Sequence, residues 1–553
     1  MAINWLGLLS MGVFYIMILA MGLWASRKSK REEKKCTGNL SEVAMVGGRN
    51  LNIWVSICTM TATLVGGGYI LGVAEMVYNP TKGLAWATGP LAYFINLIIG
   101  GLFFVKPIRS KNYVTLMDPF QEKYGNTVAA VLFIPSLISD ILWIACILGA
   151  LGGTISVVMD ISSSLSVCIS AAVAILYTLM GGLYSVAYTD VIQLAFIFVG
   201  LWLCVPFILA NPSSANITVA AVTKLHQEPW ISRLETNMSC DVSSTLTLFV
   251  FLKAIGGIGF TTFYQRTLST ATDAQAKITC YAAAVLCPIL AIPSLVIGAV
   301  AASTNWNETS YGSPSPYEQG KAGMILPIAL QHLCPFYISM FGMGALAASV
   351  MSSVDSGLLC AASLLGRNIF KNASEKMILA VVKGSVLVCG IMGAGLAMTA
   401  HSIHMFWILS GDICYSMLAP QVICLFYLSR RSNHYGACAG FVLAILLRTL
   451  VGEPMMGLPD ILPLPWDKMV DGDRYRLFPF RTAIMLITMA TILGVSCVAQ
   501  WLSEKGLLTR ISDAETDTHM TYTAPGQRDV EEKETERTTS LILYLSLNSS
   551  FSS

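Results

Sequence analysis

Two long apolar segments of this chain are each interrupted by a run of glycines. Gly66-Gly67-Gly68 lies within residues 44–77, and Gly256-Gly257-Ile258-Gly259 lies within residues 245–264. A break in an apolar helix frees backbone N–H and C=O groups that lipid cannot satisfy. Paired breaks at corresponding places in two halves of a chain are typical of the central site of a secondary transporter. The alternative is that these glycines only allow close helix packing.

The composition is that of a polytopic membrane protein. Of the 553 residues, 55% are hydrophobic and 12% are charged, and the mean hydropathy is +0.65. This predicts the lipid bilayer as the main partner of the chain. A net charge of +2 without a basic aromatic patch predicts no nucleic-acid partner. The 15 cysteines show no metal-ligand spacing, so neither a zinc site nor a disulfide framework is expected.

Windows of about 20 apolar residues, the length that crosses a bilayer, predict thirteen transmembrane helices. The windows lie near residues 5–25, 47–77, 83–105, 127–152, 160–182, 187–210, 244–265, 277–302, 337–365, 376–398, 403–428, 435–456 and 481–503. The predicted fold class is therefore an all-α integral membrane protein.

The spans divide into two sets of five that have opposite orientations. Because five is odd, spans seven to eleven are inverted relative to spans two to six, and each set begins with a broken helix. The predicted organisation is a first helix with a basic loop (1–45), a first repeat (46–210), an extracellular loop (211–243), a second repeat (244–430), two peripheral helices (431–507) and a disordered cytosolic tail (508–553).

The positive charges between spans predict the orientation of the chain. Lys and Arg residues follow spans one, three, seven, nine and eleven, and Arg266 is the one that follows span seven. Cytoplasmic loops are enriched in these residues, so the N-terminus is predicted to be extracellular and the C-terminus cytoplasmic. The glycosylation sequons at Asn216, Asn237 and Asn307 then lie outside, whereas those at Asn39 and Asn372 lie inside and carry no glycan.

Ionisable residues inside the spans are candidates for function because charges are costly in lipid. They are Glu75, Asp140, Asp190, Lys253, Asp355, Lys383, Asp412 and Glu453. Around Asp355, four serines recur at helical spacing on one face: Ser349, Ser352, Ser353 and Ser356. Such hard oxygens suit an alkali cation, although the hydroxyls can instead bond to their own helix. Asp190 has an alternative role as the N-cap of span six.

Aromatic residues lie near both breaks. They are Tyr69, Tyr93, Trp143, Phe260 and Tyr264. Aromatic rings that face a cavity can bind an organic ammonium group, with about 0.5–2 kcal/mol from each ring. Ordinary packing is the alternative for each of them.

The sequence resembles the sodium/solute symporter family, and within it the branch that transports choline. The match runs from Met1 to about Leu507. Its most specific stretches are Thr59-Met-Thr-Ala-Thr, Val65-Gly-Gly-Gly-Tyr, Gly101-Leu-Phe-Phe, Asp118-Pro-Phe-Gln, Gly181-Gly-Leu-Tyr-Ser-Val-Ala-Tyr-Thr-Asp, Met324-Ile-Leu-Pro-Ile and Met351-Ser-Ser.

The resemblance implies a set of sodium ligands. These are the backbone carbonyls of Ala62, Val65 and Ser349 and the hydroxyls of Ser352 and Ser353. It links Asp190 to a further sodium position, and Asp355 matches an acid typical of the choline branch. It also implies chloride dependence, for which the residues themselves indicate no site.

The resemblance further implies a substrate site for a choline-like cation, formed by Leu64, Gly67, Tyr93, Trp143 and Phe260. Leu64 and Phe260 stand where the choline branch has Trp, and Lys253 occupies an apolar family position.

The predicted function is sodium-coupled import of choline across the plasma membrane by alternating access. The alternatives are a sodium symporter for another small organic solute and a sodium-gated sensor that does not transport. No paired His or nucleophile–base motif indicates an enzyme.

Overall fold

The computed structural model describes most of the helical core of the chain. The described residues are 16–17, 20–28, 40–80, 83–159, 161–180, 182–214, 254–370, 373–399, 403–453, 458–462, 464–465, 468–470, 473–475 and 478–506. Over these residues the fold is helical, apart from one short antiparallel strand pair.

The α-helices are numbered in chain order. They are α1 (Leu40–Val46), α2 (Ile53–Leu64), α3 (Gly67–Tyr78), α4 (Gly89–Ile99), α5 (Val105–Arg109), α6 (Asp118–Met159), α7 (Ser163–Met180), α8 (Leu183–Leu209), α9 (Thr261–Leu268), α10 (Asp273–Ser303), α11 (Ile325–Leu333), α12 (Phe336–Ile369), α13 (Glu375–Met398), α14 (Ile403–Ile413), α15 (Ala419–Tyr427), α16 (His434–Leu450) and α17 (Phe480–Glu504). Two π-helical turns, Gly100–Phe104 and Cys414–Leu418, join α4 to α5 and α14 to α15. The strands are β1 (Lys468–Val470) and β2 (Asp473–Tyr475).

Several helices have the length and hydropathy of membrane spans. Among the described residues, 8 meet both criteria, and the bent pair α2 and α3 makes up to 9. Large apolar side chains such as Leu102, Phe103, Val388 and Ile391 are exposed on these helices. Such surface is a liability in water and matches lipid tails. The chain is therefore a multi-pass membrane protein, while the predicted count of thirteen spans remains a prediction.

The first break lies at Val65 and Gly66. α2 ends at Leu64, Gly66 adopts an extended conformation with ψ of −179°, and α3 begins at Gly67. The two helices meet at an angle of 49°. The sequence placed the break over all three glycines, but Gly67 and Gly68 form the first turn of α3. Both positions have space only for glycine. A Cβ on Gly67 would lie 2.5 Å from Val350, and one on Gly68 would lie 2.5 Å from Cys146.

The second break is also present. The turn Gly257–Gly259 is a 3₁₀ helix, Phe260 is extended, and α9 begins at Thr261. The side chain of Asn96 on α4 fills the space beside the turn, because its amide nitrogen lies 2.5 Å from the carbonyl oxygen of Ala254. A Cβ on Gly257 would lie 2.3 Å from Asn96, so glycine is required here for packing. The amide group of Asn96 thus binds a carbonyl oxygen beside the break.

Helix α12 forms the centre of the fold. It packs against α6, α8 and α13, and its residues from Ala345 to Leu364 are buried. α6 is bent where Gly125 adopts φ of 83°, which is the left-handed region that favours glycine. The sequence did not predict α11 as a separate helix. Its nine residues are too few to span a bilayer.

Two of the ionisable residues that the sequence marked for function belong to an ion cluster between the last helices. Arg448 binds Asp412 at 2.9 Å and Glu453 at 2.5 Å, and Arg481 binds Asp412 at 3.1 Å. The cluster has two charges of each sign and ties α14 to α16 and α17. The burial of Asp412 and Glu453 is therefore explained by these ion pairs between helices. Lys383 is exposed on α13.

Arg109, the last residue of α5, caps the C-terminal end of α9. Its guanidinium group lies 2.8 Å from the carbonyl oxygen of Thr267 and 3.0 Å from that of Thr270. It also pairs with Asp273, the first residue of α10, at 2.8 Å. The last carbonyls of a helix need such donors because they have no partner within the helix.

Candidate functional site

The predicted sodium ligands meet where α12 crosses the first break. The Ser352 hydroxyl lies 3.0 Å from the carbonyl oxygen of Ala62 and 2.9 Å from that of Ser349. The Ser353 hydroxyl lies 2.9 Å from the carbonyl oxygen of Thr63 and 3.4 Å from that of Ala62. Four of the five predicted ligands, all but Val65, are therefore joined by these contacts, and the Thr63 carbonyl joins them without having been predicted.

Gly66 allows the break to approach α12 this closely. A Cβ at position 66 would lie 2.2 Å from the Ser353 hydroxyl oxygen, which no side chain tolerates. Val65, the fifth predicted ligand, is the residue directly before Gly66 and the C-cap of α2. The donor set consists of neutral hydroxyl and carbonyl oxygens. Such oxygens fit an alkali cation, because they replace its hydration shell without the charge that a divalent ion demands.

Both expected uses of the serine hydroxyls occur. Ser349 and Ser356 bond to their own helix, at 2.9 Å from Leu346 and 2.7 Å from Ser352. Ser352 and Ser353 reach across to carbonyl oxygens of α2, and the Ser356 hydroxyl also lies 3.0 Å from that of Thr63 on α2. The serine face of α12 therefore bonds both to its own helix and to the helix that ends at the first break.

Asp190 is buried between α2, α8 and α9, and it is not a helix cap. Helix α8 begins at Leu183, about two turns before Asp190, so the N-cap alternative is wrong. The Thr59 hydroxyl donates to one carboxylate oxygen of Asp190. Arg266 lies 3.6 Å from the same oxygen, and the other oxygen is buried without a hydrogen-bond partner among the described residues.

Arg266, which the sequence counted among the positive charges that follow span seven, lies within helix α9. Its side chain is 1% exposed and is among the largest fully buried side chains of the described residues. Besides Asp190, it contacts the Thr63 hydroxyl at 3.1 Å and the Ser356 hydroxyl. The enrichment of Lys and Arg in cytoplasmic loops assigns Arg266 to the cytoplasmic side from its position in the sequence alone. The short helix α9 instead turns it inward, where two buried acids compensate its charge.

Asp355 completes this charged cluster on α12. One carboxylate oxygen lies 3.2 Å from the backbone nitrogen of Ser356, and the other is buried with no hydrogen-bond partner in the part of the chain that the structure describes. Asp355 is within electrostatic range of both Asp190 and Arg266. With two acids and one arginine, the cluster has an excess of one negative charge. It lies next to the serine site, because Thr63 and Ser356 belong to both groups and their hydroxyls are 3.0 Å apart.

Trp143 and Phe260 lie together at the second break. Their ring centroids are 5.6 Å apart with an interplanar angle of 60°. Trp143 is buried, whereas Phe260 is partly exposed. The pairing brings α6 against the extended residue that precedes α9.

Tyr93 belongs to a second aromatic group, formed with Tyr69 and Trp407. The Tyr69 and Tyr93 rings are stacked at 5.1 Å, and Trp407 lies edge-on at 5.9 Å from Tyr93. The indole nitrogen of Trp407 also lies 3.3 Å from the Tyr93 hydroxyl. Sequence reasoning missed Trp407 because it lies far along the chain from either break. An isolated Trp in an apolar span was the only signal.

The remaining predicted residues have varied surroundings. Leu64 is 8% exposed, and Gly67 packs against Val350 and Ala150. Tyr264 is buried against Phe263. Asn307 is exposed, and its glycosylation stays a prediction. Lys253, Asn216, Asn237, Asn39 and Asn372 lie outside the described residues.

The fold has two broken apolar helices, and the first break contacts the buried serines of α12. This arrangement is typical of membrane transporters with broken helices. The chain belongs to the sodium:solute symporter family, whose profile matches residues 45–444. It is therefore a sodium-coupled transporter and not an enzyme.

Named relatives and a solved structure agree with this assignment. The chain is 45% identical to the high affinity choline transporter 1 of Homo sapiens, over 92% of this chain and 87% of that protein. It is 44% identical to the high-affinity choline transporter 1 of Torpedo marmorata, over 91% of this chain and 87% of that one. A Na⁺-coupled sialic acid symporter, solved in a substrate-bound outward-open state, shares the fold with a TM-score of 0.70 at 17% identity, over 89% of this chain and 97% of that one.

Proposed function

We propose that this protein is a sodium-coupled symporter that imports choline or a closely similar organic cation. The observation that carries the proposal is the contact of Ser352 and Ser353 with the Ala62 and Thr63 carbonyls, which places hard oxygens of two helices at the first break. The family membership and the names of the relatives supply the substrate class.

In this proposal, Ala62, Val65, Ser349, Ser352 and Ser353 hold sodium between α2 and α12. The serine hydroxyls already join the two helices, so binding of a cation by the same oxygens stabilises the arrangement in which α12 and the break are together. A ligand shifts a conformational equilibrium only by its differential affinity for the two states. Sodium bound here therefore favours one side of an alternating-access cycle, and by linkage it raises the affinity for the substrate.

Substrate binding is assigned to the region between the two breaks. Trp143 and Phe260 line it at the second break, and Leu64 and Gly67 flank the first. Tyr93 contributes through its stack with Tyr69. Aromatic faces attract an ammonium group without the desolvation that a full ion pair requires. Asp190 and Asp355, with their excess negative charge, are assigned to a further sodium-linked position.

The test is uptake of radiolabelled choline into cells that express the full chain, with sodium replaced by N-methylglucamine and, separately, chloride replaced by gluconate. Sodium-dependent accumulation above that of untransfected cells is the expected result. Loss of uptake without chloride supports the chloride dependence that the family resemblance implies. Uptake that is insensitive to sodium overturns the proposal, and currents without accumulation identify a sensor.

A second candidate is symport of another small organic solute. The observation that favours it is the pair of departures at Leu64 and Phe260, which removes one indole face and weakens another. A panel of labelled amines and neutral solutes in the same assay distinguishes the two.

Orientation and location complete the proposal. The chain resides in the plasma membrane with its N-terminus outside, its C-terminus inside and glycans on Asn307, Asn216 and Asn237.

A further inference from the structure

The second break carries a buried carboxylate that the sodium site does not use. Asp140 lies on α6 and is 3% exposed. The hydroxyl of Thr261, the first residue of α9, lies 2.8 Å from one of its carboxylate oxygens and 3.0 Å from the other. Among the described residues, the Asp140 carboxylate has no other hydrogen bond and no ion pair.

Within the described residues, the carboxylate of Asp140 has no cationic partner. No Lys, Arg or His of this part of the chain lies within ion-pairing distance of it. A carboxylate can accept about four hydrogen bonds, and one hydroxyl supplies only one. Buried charges are costly unless they are paired. By contrast, the buried acids Asp190 and Asp412 each have an arginine.

Asp140 is placed beside the aromatic pair of the substrate region. It precedes Trp143 by three residues on one helix, so the two side chains share a face. Its partner Thr261 directly follows Phe260, whose ring lies 5.6 Å from that of Trp143. The carboxylate therefore lies about one helical turn from the Trp143 ring, toward the N-terminal end of α6.

We propose that Asp140 is the counter-charge by which this site selects a monovalent organic cation over a neutral solute, and that Thr261 is a positioning residue that orients the carboxylate. This inference rests on the proposed function, because it assigns a role within the same substrate site. A carboxylate compensates for the missing ring at Leu64 and the weaker ring of Phe260, since its attraction for an ammonium group is Coulombic and strong where water is excluded. An uncharged solute of the same shape gains nothing from it.

The test compares choline with its neutral carbon isostere, 3,3-dimethyl-1-butanol. Dissociation constants of both are measured by calorimetry on the full chain in nanodiscs at saturating sodium. Asp140→Asn keeps the shape of the side chain and removes the charge. It is expected to raise the dissociation constant for choline by about tenfold or more, while that of the isostere changes by less than about twofold. Glu318→Gln, at an exposed acid outside the site, is the matched control and is expected to leave both constants unchanged.

A second pair of variants keeps the test independent of whether Asp140→Asn folds. Thr261→Val removes the hydroxyl and is expected to weaken choline binding, whereas Thr261→Ser retains it and is expected to restore the affinity. Equal weakening for both compounds in Asp140→Asn indicates a structural role and overturns the inference, as does an unchanged ratio of the two constants. A wild type that neither binds nor accumulates choline overturns the proposed function, and the inference with it. An active wild type with an unchanged ratio overturns the inference alone.

Discussion

The smallest scale at which function can be tested is the pair of hydroxyls on α12. Ser352→Ala and Ser353→Ala each remove a hard oxygen that faces the carbonyls of α2. Loss of one such ligand costs about 1 kcal/mol, so the half-saturating sodium concentration is expected to rise about fivefold or more. The measurement is choline uptake against sodium concentration at matched surface expression.

Ser170→Ala is the control for these variants. Ser170 is equally buried, but it bonds only to Ser166 on its own helix. Its loss is expected to leave the sodium dependence unchanged. If Ser352→Ala and Ser353→Ala behave in the same way as Ser170→Ala, neither hydroxyl binds sodium.

The aromatic pair gives a second prediction for a single residue. Phe260 is partly exposed beside Trp143, so Phe260→Trp has room to present a stronger cation-binding face. The half-saturating choline concentration is expected to fall about two- to fivefold, as about 0.5–1 kcal/mol implies. Phe260→Leu, which removes the ring, is expected to raise it. A pair of variants that both leave the value unchanged would exclude Phe260 from the substrate site.

At the scale of helices and their breaks, Gly66 is the residue on which the geometry depends. Gly66→Ala places a methyl group 2.2 Å from the Ser353 hydroxyl oxygen, so the break must move away from α12. Uptake is expected to be lost while the protein still reaches the surface. Gly395→Ala on α13 is the control, because a Cβ there meets nothing within 4 Å. Normal transport by Gly66→Ala would contradict the close approach of the two elements.

Asn96 is the corresponding support of the second break. Asn96→Ala leaves the Ala254 carbonyl without its 2.5 Å contact, and an unpaired buried acceptor costs about 1–3 kcal/mol. The melting temperature of the purified protein and its choline affinity are both expected to fall. The exposed Asn305 provides the control, since Asn305→Ala removes only a surface contact. Equal melting temperatures for the two variants would argue against this role.

The sequence predicted the helices and their breaks more reliably than the contacts between them. Apolar windows and glycine runs located the two breaks, because both are local patterns along the chain. The roles of Arg266, Trp407 and Asn96 were missed, since their partners Asp190, Tyr93 and Ala254 belong to other segments that lie far away along the chain. The serine face was found because it repeats at helical spacing, and the choice of sodium ligands on it came from the family resemblance. The charged cluster, in contrast, depends on how α9 packs.

For the whole molecule, the testable property is its orientation in the membrane. Asn307 is exposed in the segment after α10, within an Asn-Glu-Thr sequon. Enzymatic deglycosylation is expected to lower the apparent mass of the wild type, and Asn307→Gln is expected to remove part or all of that shift. Asn372→Gln, at a sequon predicted to face the cytoplasm, should change nothing. A glycan on Asn372 would reverse the assigned orientation.

The contacts of Arg109 link three elements of the fold, namely α5, α9 and α10. One guanidinium group holds the end of α9, the turn after it and the start of α10 to the end of α5. If α9 moved alone, several carbonyls and the Asp273 carboxylate would lose their donor at once. The end of α5, the end of α9 and the start of α10 are therefore held by a single side chain, and separating any one of them leaves backbone carbonyls or a carboxylate without a donor.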